Sequence, residues 1–289
     1  MLQDIRVGLA QFEAKVGDTE RNLQEIIRTA EVASSQGVSL LCYPECALHG
    51  YSPKDASEIA DPLDSMAVAR LRECARDLGL ILLVGMVEKS PEGKKPYISQ
   101  LIVFPDREPE VYRKVHLGRI EQHYFTAGDS FPIFAAGGVK FSIGICWDWH
   151  FPELSTICSL KGAEIQFAPH ASPVVSGDRK EIWKRYLGAR AYDNSVYLCA
   201  CNLVGTNNRD KEFSGGILVF GPKGEVLAEN QDTQERLFVV DLPAKPINTL
   251  RSPKRQSMRD TFFLADRRKE LYKELLELEI EKMPQMPHD

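Results

Sequence analysis

Three polar residues stand where apolar runs end. Glu45 closes "VSLLCYPE", Lys114 closes "EVYRK" and Cys146 closes "VKFSIGIC". A free thiol is only a few per cent ionised at neutral pH, so a cysteine nucleophile needs a proton acceptor and gains from a nearby cation. Glu45 and Lys114 are residue types that meet those needs. Lys114 would lower the pKa of the thiol, and Glu45 would take its proton. In open α/β sheets, ligand sites lie beyond the carboxyl ends of the strands. Three runs ending on Glu, Lys and Cys therefore form a candidate active site. Strand ends also carry polar residues for other reasons. Four readings of Cys146 stay open on spacing alone: buried filler, half of a disulfide, metal ligand or nucleophile.

The other cysteines bear on that choice. There are seven, Cys42, Cys46, Cys74, Cys146, Cys158, Cys199 and Cys201. An odd number, behind an N-terminus with no secretory pattern, argues against a disulfide framework. Cys42, Cys46 and His49 come near metal-ligand spacing, but no C-x-x-C pair occurs and no metal is expected. Cys199 and Cys201 in "VYLCACNLV" read as small buried hydrophobes. His150, four residues after Cys146, is a rival base for the thiol, although Pro152 turns the chain just beyond it. His49, His116, His123 and His170 read as structural or pocket-rim residues.

The elements that must position these residues follow from periodicity. "IRVGLAQF" reads as a strand. In "TERNLQEIIRTAEVASSQG", Leu23, Ile26, Ile27, Ala30 and Ala33 recur at helical spacing and Gly37 ends the run. "VSLLCYPE" is a strand stopped by Pro44, "DSMAVARLRECARDLG" a helix and "LILLVGMVE" a strand. "ISQLIVFP" and "EVYRK" are strands separated by a turn. "VKFSIGIC" is a strand and "PELSTICSLKG" a short helix with proline near its start. "AEIQFAP" is a strand and "EIWKRYLGARAYDN" a helix. "VYLCACNLVG", "SGGILVFG", "EVLAEN" and "RLFVVDL" are late strands. The order predicts a layered α/β domain with mixed sheets over residues 1–262. A charged, helical tail follows over 263–289, where Leu271, Leu275 and Leu278 mark an apolar stripe suited to packing on the domain or on a neighbouring subunit.

The whole chain narrows the classes. Of 289 residues, 43% are hydrophobic, which suits a large core and excludes a disordered chain. The net charge of −5 offers no basic footprint for nucleic acid. No apolar run reaches the roughly 20 residues that cross a bilayer. A cytoplasmic protein without membrane or nucleic-acid partners is expected.

The three segments together resemble the carbon–nitrogen hydrolase family, the nitrilase superfamily. "YPECALHGY" is similar to its Glu motif, "YRKVHL" to its Lys motif and "GICWDWHFPE" to its Cys motif, in the family's order. "VGLAQFEAKVGDTERN", "HYFTAGD", "SGGILVFGPKGEVLAE" and "DRRKELY" are also similar to family segments, so the likeness covers nearly the whole chain. It implies a four-layer αββα sandwich whose protomers pair as a homodimer or higher homo-oligomer. The helices "PELSTICSLKG" and "EIWKRYLGARAYDN" resemble the joining segments, with Trp183, Tyr186 and Leu187 expected to be exposed as an apolar patch. It also implies that Glu45, Lys114 and Cys146 are catalytic and that Glu121 supports the lysine or the substrate.

That resemblance implies a thiol hydrolase of non-peptide C–N bonds that needs no cofactor and releases ammonia through an acyl-cysteine intermediate. Trp147 would give a backbone N–H to the oxyanion, and Trp147, Asp148, Trp149 and His150 would line the pocket, since they lead directly off Cys146. "CWDWHFPE" is most similar to the amidase and N-carbamoylputrescine amidase branches. Nitrilases, acting on a small nitrile, usually carry Glu where this chain has Asp148, and remain the alternative. The paired arginines of N-carbamoyl-D-amino-acid hydrolases are lacking, so a substrate carboxylate would need a distant Arg185 or Arg190. A silent binding protein on the same scaffold is the alternative of a different class.

Overall fold

The central strands are buried at every position, and their successive side chains point alternately into two different packed layers. A computed structural model describes residues 1, 3–174, 179–230, 232–252, 257 and 261–278. The first half runs β1 (Ile5–Gln11), α1 (Thr19–Ser35), β2 (Leu40–Cys42), α2 (Ala56–Ile59), α3 (Met66–Leu78), β3 (Ile81–Glu88), β4 (Tyr97–Val103) and β5 (Glu110–Arg113). The second runs β6 (Phe134–Ala136), β7 (Val139–Ile143), α4 (Pro152–Leu160), β8 (Ile165–His170), α5 (Arg179–Asn194) and β9 (Tyr197–Asn202). Then come β10 (Val204–Thr206), β11 (Glu212–Ser214), β12 (Ile217–Phe220), β13 (Val226–Asn230), β14 (Arg236–Leu242) and α6 (Ala244–Leu250).

Two six-stranded sheets result, ordered β14-β1-β2-β3-β4-β5 and β13-β12-β9-β8-β7-β6. Both are mixed. β1, β2 and β3 run parallel, as do β7, β8 and β9, and antiparallel strands flank each trio. Odd-numbered residues of β9 (Tyr197, Cys199, Cys201) face the other sheet with Phe141, Ile143, Val7, Leu9 and Leu83. Its even-numbered Leu198 and Ala200 face outward with Trp183 and Leu187 of α5. On the other sheet, Leu41, Leu82 and Val84 face α1 and α3, which contribute Leu23, Ile26, Val68 and Leu71. The layers are therefore helix, sheet, sheet, helix, the αββα arrangement. It agrees with the sandwich that the family resemblance implies, and the period of 2 in the strands and 3.6 in the helices lets each element cover its neighbours.

Local signals set the helix ends. The Asp18 side chain accepts from Arg21 N at the start of α1, and Ser65 accepts from Val68 N at the start of α3. Gly79, left-handed at φ 61°, stops α3. Pro152 sits in the first turn of α4.

Several expectations need correction. Trp183 and Leu187 are fully buried rather than exposed, because α5 packs them onto β9 and β12; only Tyr186 of that trio is partly exposed. The run "VKFSIGIC" leaves the sheet at Ile143, and Cys146 opens a 3₁₀ helix (Cys146–His150). Outside those corrections, the described part of the tail forms two 3₁₀ helices, Phe263–Asp266 and Lys269–Leu276, with Leu271, Leu275 and Leu278 exposed and the Phe263 ring against Tyr192 of α5. The rest of the expected tail, residues 279–289, lies outside the described residues. No helix among the described residues is long and apolar enough to cross a membrane.

Candidate active site

Strand direction brings the three polar residues to one edge. β2 and β3 are parallel, and two antiparallel steps from β3 through β4 give β5 the same direction as β2. Glu45 beyond β2 and Lys114 beyond β5 therefore emerge together. A parallel bridge between Phe12 and Leu203, just past β1 and β9, aligns the two sheets. The ends of β7 and β8 thus deliver Cys146 and the Ala171–Ser172 pair to the same rim. Two glycines permit the close fit. A Cβ on Gly85 of β3 would lie 2.2 Å from Pro44 O and 2.4 Å from Cys46 N, so the Glu45 loop rests directly on bare backbone. A Cβ on Gly128 would lie 2.3 Å from Arg113 O, and Gly128 N donates to Lys114 O at 2.8 Å.

Lys114 is completely buried and clamped between two buried carboxylates. Its Nζ donates to Glu45 Oε1 and to Glu121 Oε1, each at 2.8 Å. Burial alone would push a lysine pKa down, but Glu45 and Glu121 outweigh it and hold the ammonium well above its ordinary range. Glu45 Oε2 also accepts from Ala171 N at 2.8 Å. Burial raises the Glu45 carboxyl to about 7, with Lys114 pulling down and Glu121 pushing up. Glu121 takes two further bonds, from Tyr51 Oη at 2.9 Å and from Gly118 N at 2.7 Å. A fixed cation is thereby held against a base poised near neutrality.

Cys146 is half-buried and strained at φ 46°, in the left-handed region that costs a non-glycine residue about 1–3 kcal/mol. Its Sγ lies 3.7 Å from Ser172 Oγ. The expected lowering of its pKa by Lys114 is overridden. Burial and the charges of Glu45 and Glu121 carry the thiol up to about 12, against the pull of Lys114 and the Ser172 hydrogen bond. The resting group is a thiol, so attack must move its proton to an acceptor as the bond forms.

Asp148 is fully buried and braces the turn instead of lining a pocket. Its Oδ2 accepts from Ile145 N at 2.8 Å and from Tyr112 Oη at 2.7 Å. Its Oδ1 accepts from His116 N at 2.8 Å and lies 3.0 Å from His116 Nδ1. One carboxylate thus ties the segment of Cys146 to the segment of Lys114. Trp149 is also buried; its Nε1 donates to Gly144 O at 2.5 Å and its ring packs beneath the turn. Trp147 is 41% exposed, and His150 is exposed with its ring 4.6 Å from Trp147 and 5.0 Å from Tyr186. Those two remain at the surface beside the nucleophile.

Glu45, Lys114, Glu121 and Cys146 therefore gather as a group. Tyr51, Ala171 and Ser172 join them without having been singled out in the sequence. Tyr51 closes the quoted segment "YPECALHGY", whereas Ala171 and Ser172 carry only the signal of position, since "APHAS" runs off the carboxyl end of β8. The suspected metal set does not assemble. Cys42 Sγ lies 3.9 Å from Cys201 Sγ between the sheets, and His49 Nδ1 accepts from Val87 N. Among the described residues, no three His, Cys, Asp or Glu side chains gather as a ligand set.

Comparison with known proteins meets this geometry. The model of the family described as carbon-nitrogen hydrolase matches residues 6–252. A protein named nitrilase from Pyrococcus abyssi is 29% identical over 93% of this chain and 99% of its own. An N-carbamoylputrescine amidase from Arabidopsis thaliana is 30% identical over 96% of this chain and 97% of its own. Among solved structures, a variant of the amidase from Nesterenkonia sp. AN1 has a TM-score of 0.79 and 30% identity, over 94% of this chain and 97% of that one. It shows covalent addition of the acetamide moiety of fluoroacetamide at the active-site cysteine. The same amidase is also known in complex with butyramide.

Proposed function

The chain belongs to the carbon–nitrogen hydrolase family and is a carbon–nitrogen hydrolase; from that premise we propose that it cleaves the C–N bond of a small linear amide or N-carbamoyl amine, with Cys146 as nucleophile. The observation that carries this is Lys114 held at 2.8 Å from both Glu45 and Glu121, with their charges bearing on the Cys146 thiol. Cys146 Sγ attacks the carbonyl or carbamoyl carbon while its proton passes to ionised Glu45. Lys114 Nζ and the backbone N–H of Trp147, in the first turn of its helix, hold the oxyanion. One such donor is worth about 10²–10³ in rate. Collapse breaks the C–N bond, Glu45 returns the proton to the departing ammonia or amine, and a thioester or thiocarbamate stays on Cys146. Water that gives its proton to Glu45 then releases the acid. Glu121 is a positioning residue that fixes Lys114 and is itself fixed by Tyr51. Protons and a thiol suffice, so no cofactor or metal is invoked.

The charges that weigh on the Cys146 thiol are two carboxylates and one ammonium. A substrate carboxylate near the sulfur would add to an anionic excess, at a cost of several kcal/mol where solvent is poor. Arg185 is exposed, and Arg190 lies among the charges of Asp193 and Glu153 on the α5 side. Neutral or cationic tails are therefore the preferred class, N-carbamoylputrescine over N-carbamoyl-α-amino acids. Seven unpaired cysteines suit a reducing compartment, the cytoplasm. The test is ammonia release from a panel of short amides, N-carbamoyl amines, N-carbamoyl amino acids and nitriles. Mass spectrometry of the trapped protein should show the acyl mass on Cys146. Turnover that persists in Cys146→Ala overturns the reading, and activity confined to nitriles moves the substrate class.

A further inference from the structure

Ser172 is buried at 3% exposure, with its hydroxyl 3.7 Å from the sulfur of Cys146. It did not arrive there loosely. Its N–H donates to Asn202 Oδ1 at 2.8 Å, and its carbonyl accepts from Asn202 Nδ2 at 3.1 Å. Asn202 is fully buried at the end of β9 and also donates to Gly215 O at 3.0 Å. One amide side chain thus fixes both polar groups of the Ser172 backbone. The preceding residue, Ala171, gives its N–H to the base Glu45. Two consecutive residues therefore touch the two ends of the proton transfer, the acceptor through a backbone N–H and the donor sulfur through a hydroxyl.

The chemistry at the sulfur gives that hydroxyl a defined task. In the resting thiol, either group can donate to the other. As Cys146 gives its proton to Glu45, the sulfur gains negative charge and keeps no hydrogen, so only Ser172 can donate. A hydrogen bond to a charged acceptor is about twice as strong as one between neutral groups. The interaction is therefore stronger at the charged sulfur than at the thiol, which is the condition for accelerating the step. We propose that Ser172 is a further catalytic residue, a hydroxyl donor that stabilises the developing thiolate of Cys146. The inference rests on Cys146 being the nucleophile. Ser172 keeps its own proton throughout, so the transfer from sulfur to Glu45 remains balanced.

The experiment alkylates the intact protein with iodoacetamide from pH 6 to 10, locates the modified cysteine by mass spectrometry and compares Ser172→Ala and Ser172→Thr with the parent. Ser172→Ala should slow alkylation of Cys146 about tenfold at pH 8, or shift its pH profile upward by about one unit. Ser172→Thr, which keeps a hydroxyl, should restore most of the rate. kcat for a turned-over amide should follow the same order. Alkylation of Ser172→Ala on the parent's profile overturns the proposal, even if its melting temperature falls, because a packing role would not alter the sulfur's reactivity. A parent that turns over an amide without an acyl mass appearing on Cys146 overturns instead the assignment of the nucleophile. Ser172→Gly provides a second loss of the hydroxyl should the alanine variant not accumulate.

Discussion

At the scale of single residues, a Glu45 carboxyl raised to about 7 and a Cys146 thiol raised to about 12 share one cation, Lys114, so the proton transfer between them depends on the charge of Glu45. Glu45, Lys114, Cys146 and Glu121 were legible because three of them end apolar runs and all four sit in recognisable segments. Burial was not legible, and burial reverses the expected effect on the thiol, carrying Cys146 up to about 12 despite Lys114. The base therefore sets the pH dependence. Glu45 must be ionised to accept the proton, and its carboxyl titrates near 7. kcat/KM should thus rise with pH to a plateau above about 7, and Glu45→Gln should remove that limb and lower kcat by about 10²–10⁴. The same shift acts on stability with a definite sign. The folded state holds this proton up to about 7, whereas the unfolded chain releases it near 4.5. Stability from this group is full below 4.5 and is lost as pH rises toward 7. The melting temperature of the parent should fall relative to Glu45→Gln between pH 5 and 8; a constant difference across that range would show that the carboxyl is not raised. Lys114→Ala should cost about 10²–10³ in kcat, and Glu45→Gln with Lys114→Ala should cost less than the product of the two, because they act as one unit.

At the scale of elements, two devices hold the rim together. One is the contact of β3 with the Glu45 loop, where Gly85 has no room for a Cβ. Gly85→Ala should displace Glu45 and lower kcat at least tenfold while the outer helices and their circular dichroism stay unchanged. An unaltered kcat would mean that the loop yields without moving the base. The other is Asp148. Polar and set among aromatics, it looked like a pocket residue because sequence order gives adjacency to Cys146 but not direction. In three dimensions it spans from the Cys146 turn to the backbone at His116 and the Tyr112 hydroxyl. Asp148→Ala leaves the buried Tyr112 hydroxyl and Ile145 N–H, and the half-buried His116 N–H, without their acceptor, at about 1–3 kcal/mol for each buried unsatisfied group, so it should lower the melting temperature and kcat together. Tyr112→Phe, which removes one donor and leaves the acceptor with its other partners, should cost much less in a urea titration. Equal losses for the two would place the bracing elsewhere. The strand ends show the same limit of sequence reading. β7 was traced to Cys146 because the run stays apolar, yet the left-handed φ of Cys146 begins a 3₁₀ turn that no hydrophobic pattern announces.

At the scale of the whole molecule, the period-2 runs located most strands, and the αββα layering came with the family resemblance. Which helix faces stay open is a tertiary property. Trp183 and Leu187 were expected at a protomer contact, but α5 turns them onto β9 and β12. One cluster of exposed apolar side chains lies one layer further out. Leu160 of α4 and Phe263, Leu271, Tyr272 and Leu275 of the tail border a groove of about 860 Å³. The groove is lined by residues of α4 and by Asp193 of α5, the helices that resemble the family's joining segments. Its occupant is therefore expected to be the same face of a second copy, because a closed twofold pairing covers both grooves at once. Light scattering at micromolar concentration should give a mass of at least twice 32.5 kDa. Leu275→Asp, at a residue 58% exposed in the single chain, should shift the protein toward the single-chain mass of 32.5 kDa without lowering the monomer's helix content. A parent that scatters as one chain, or a Leu275→Asp variant that pairs as tightly as the parent, removes this face as the contact.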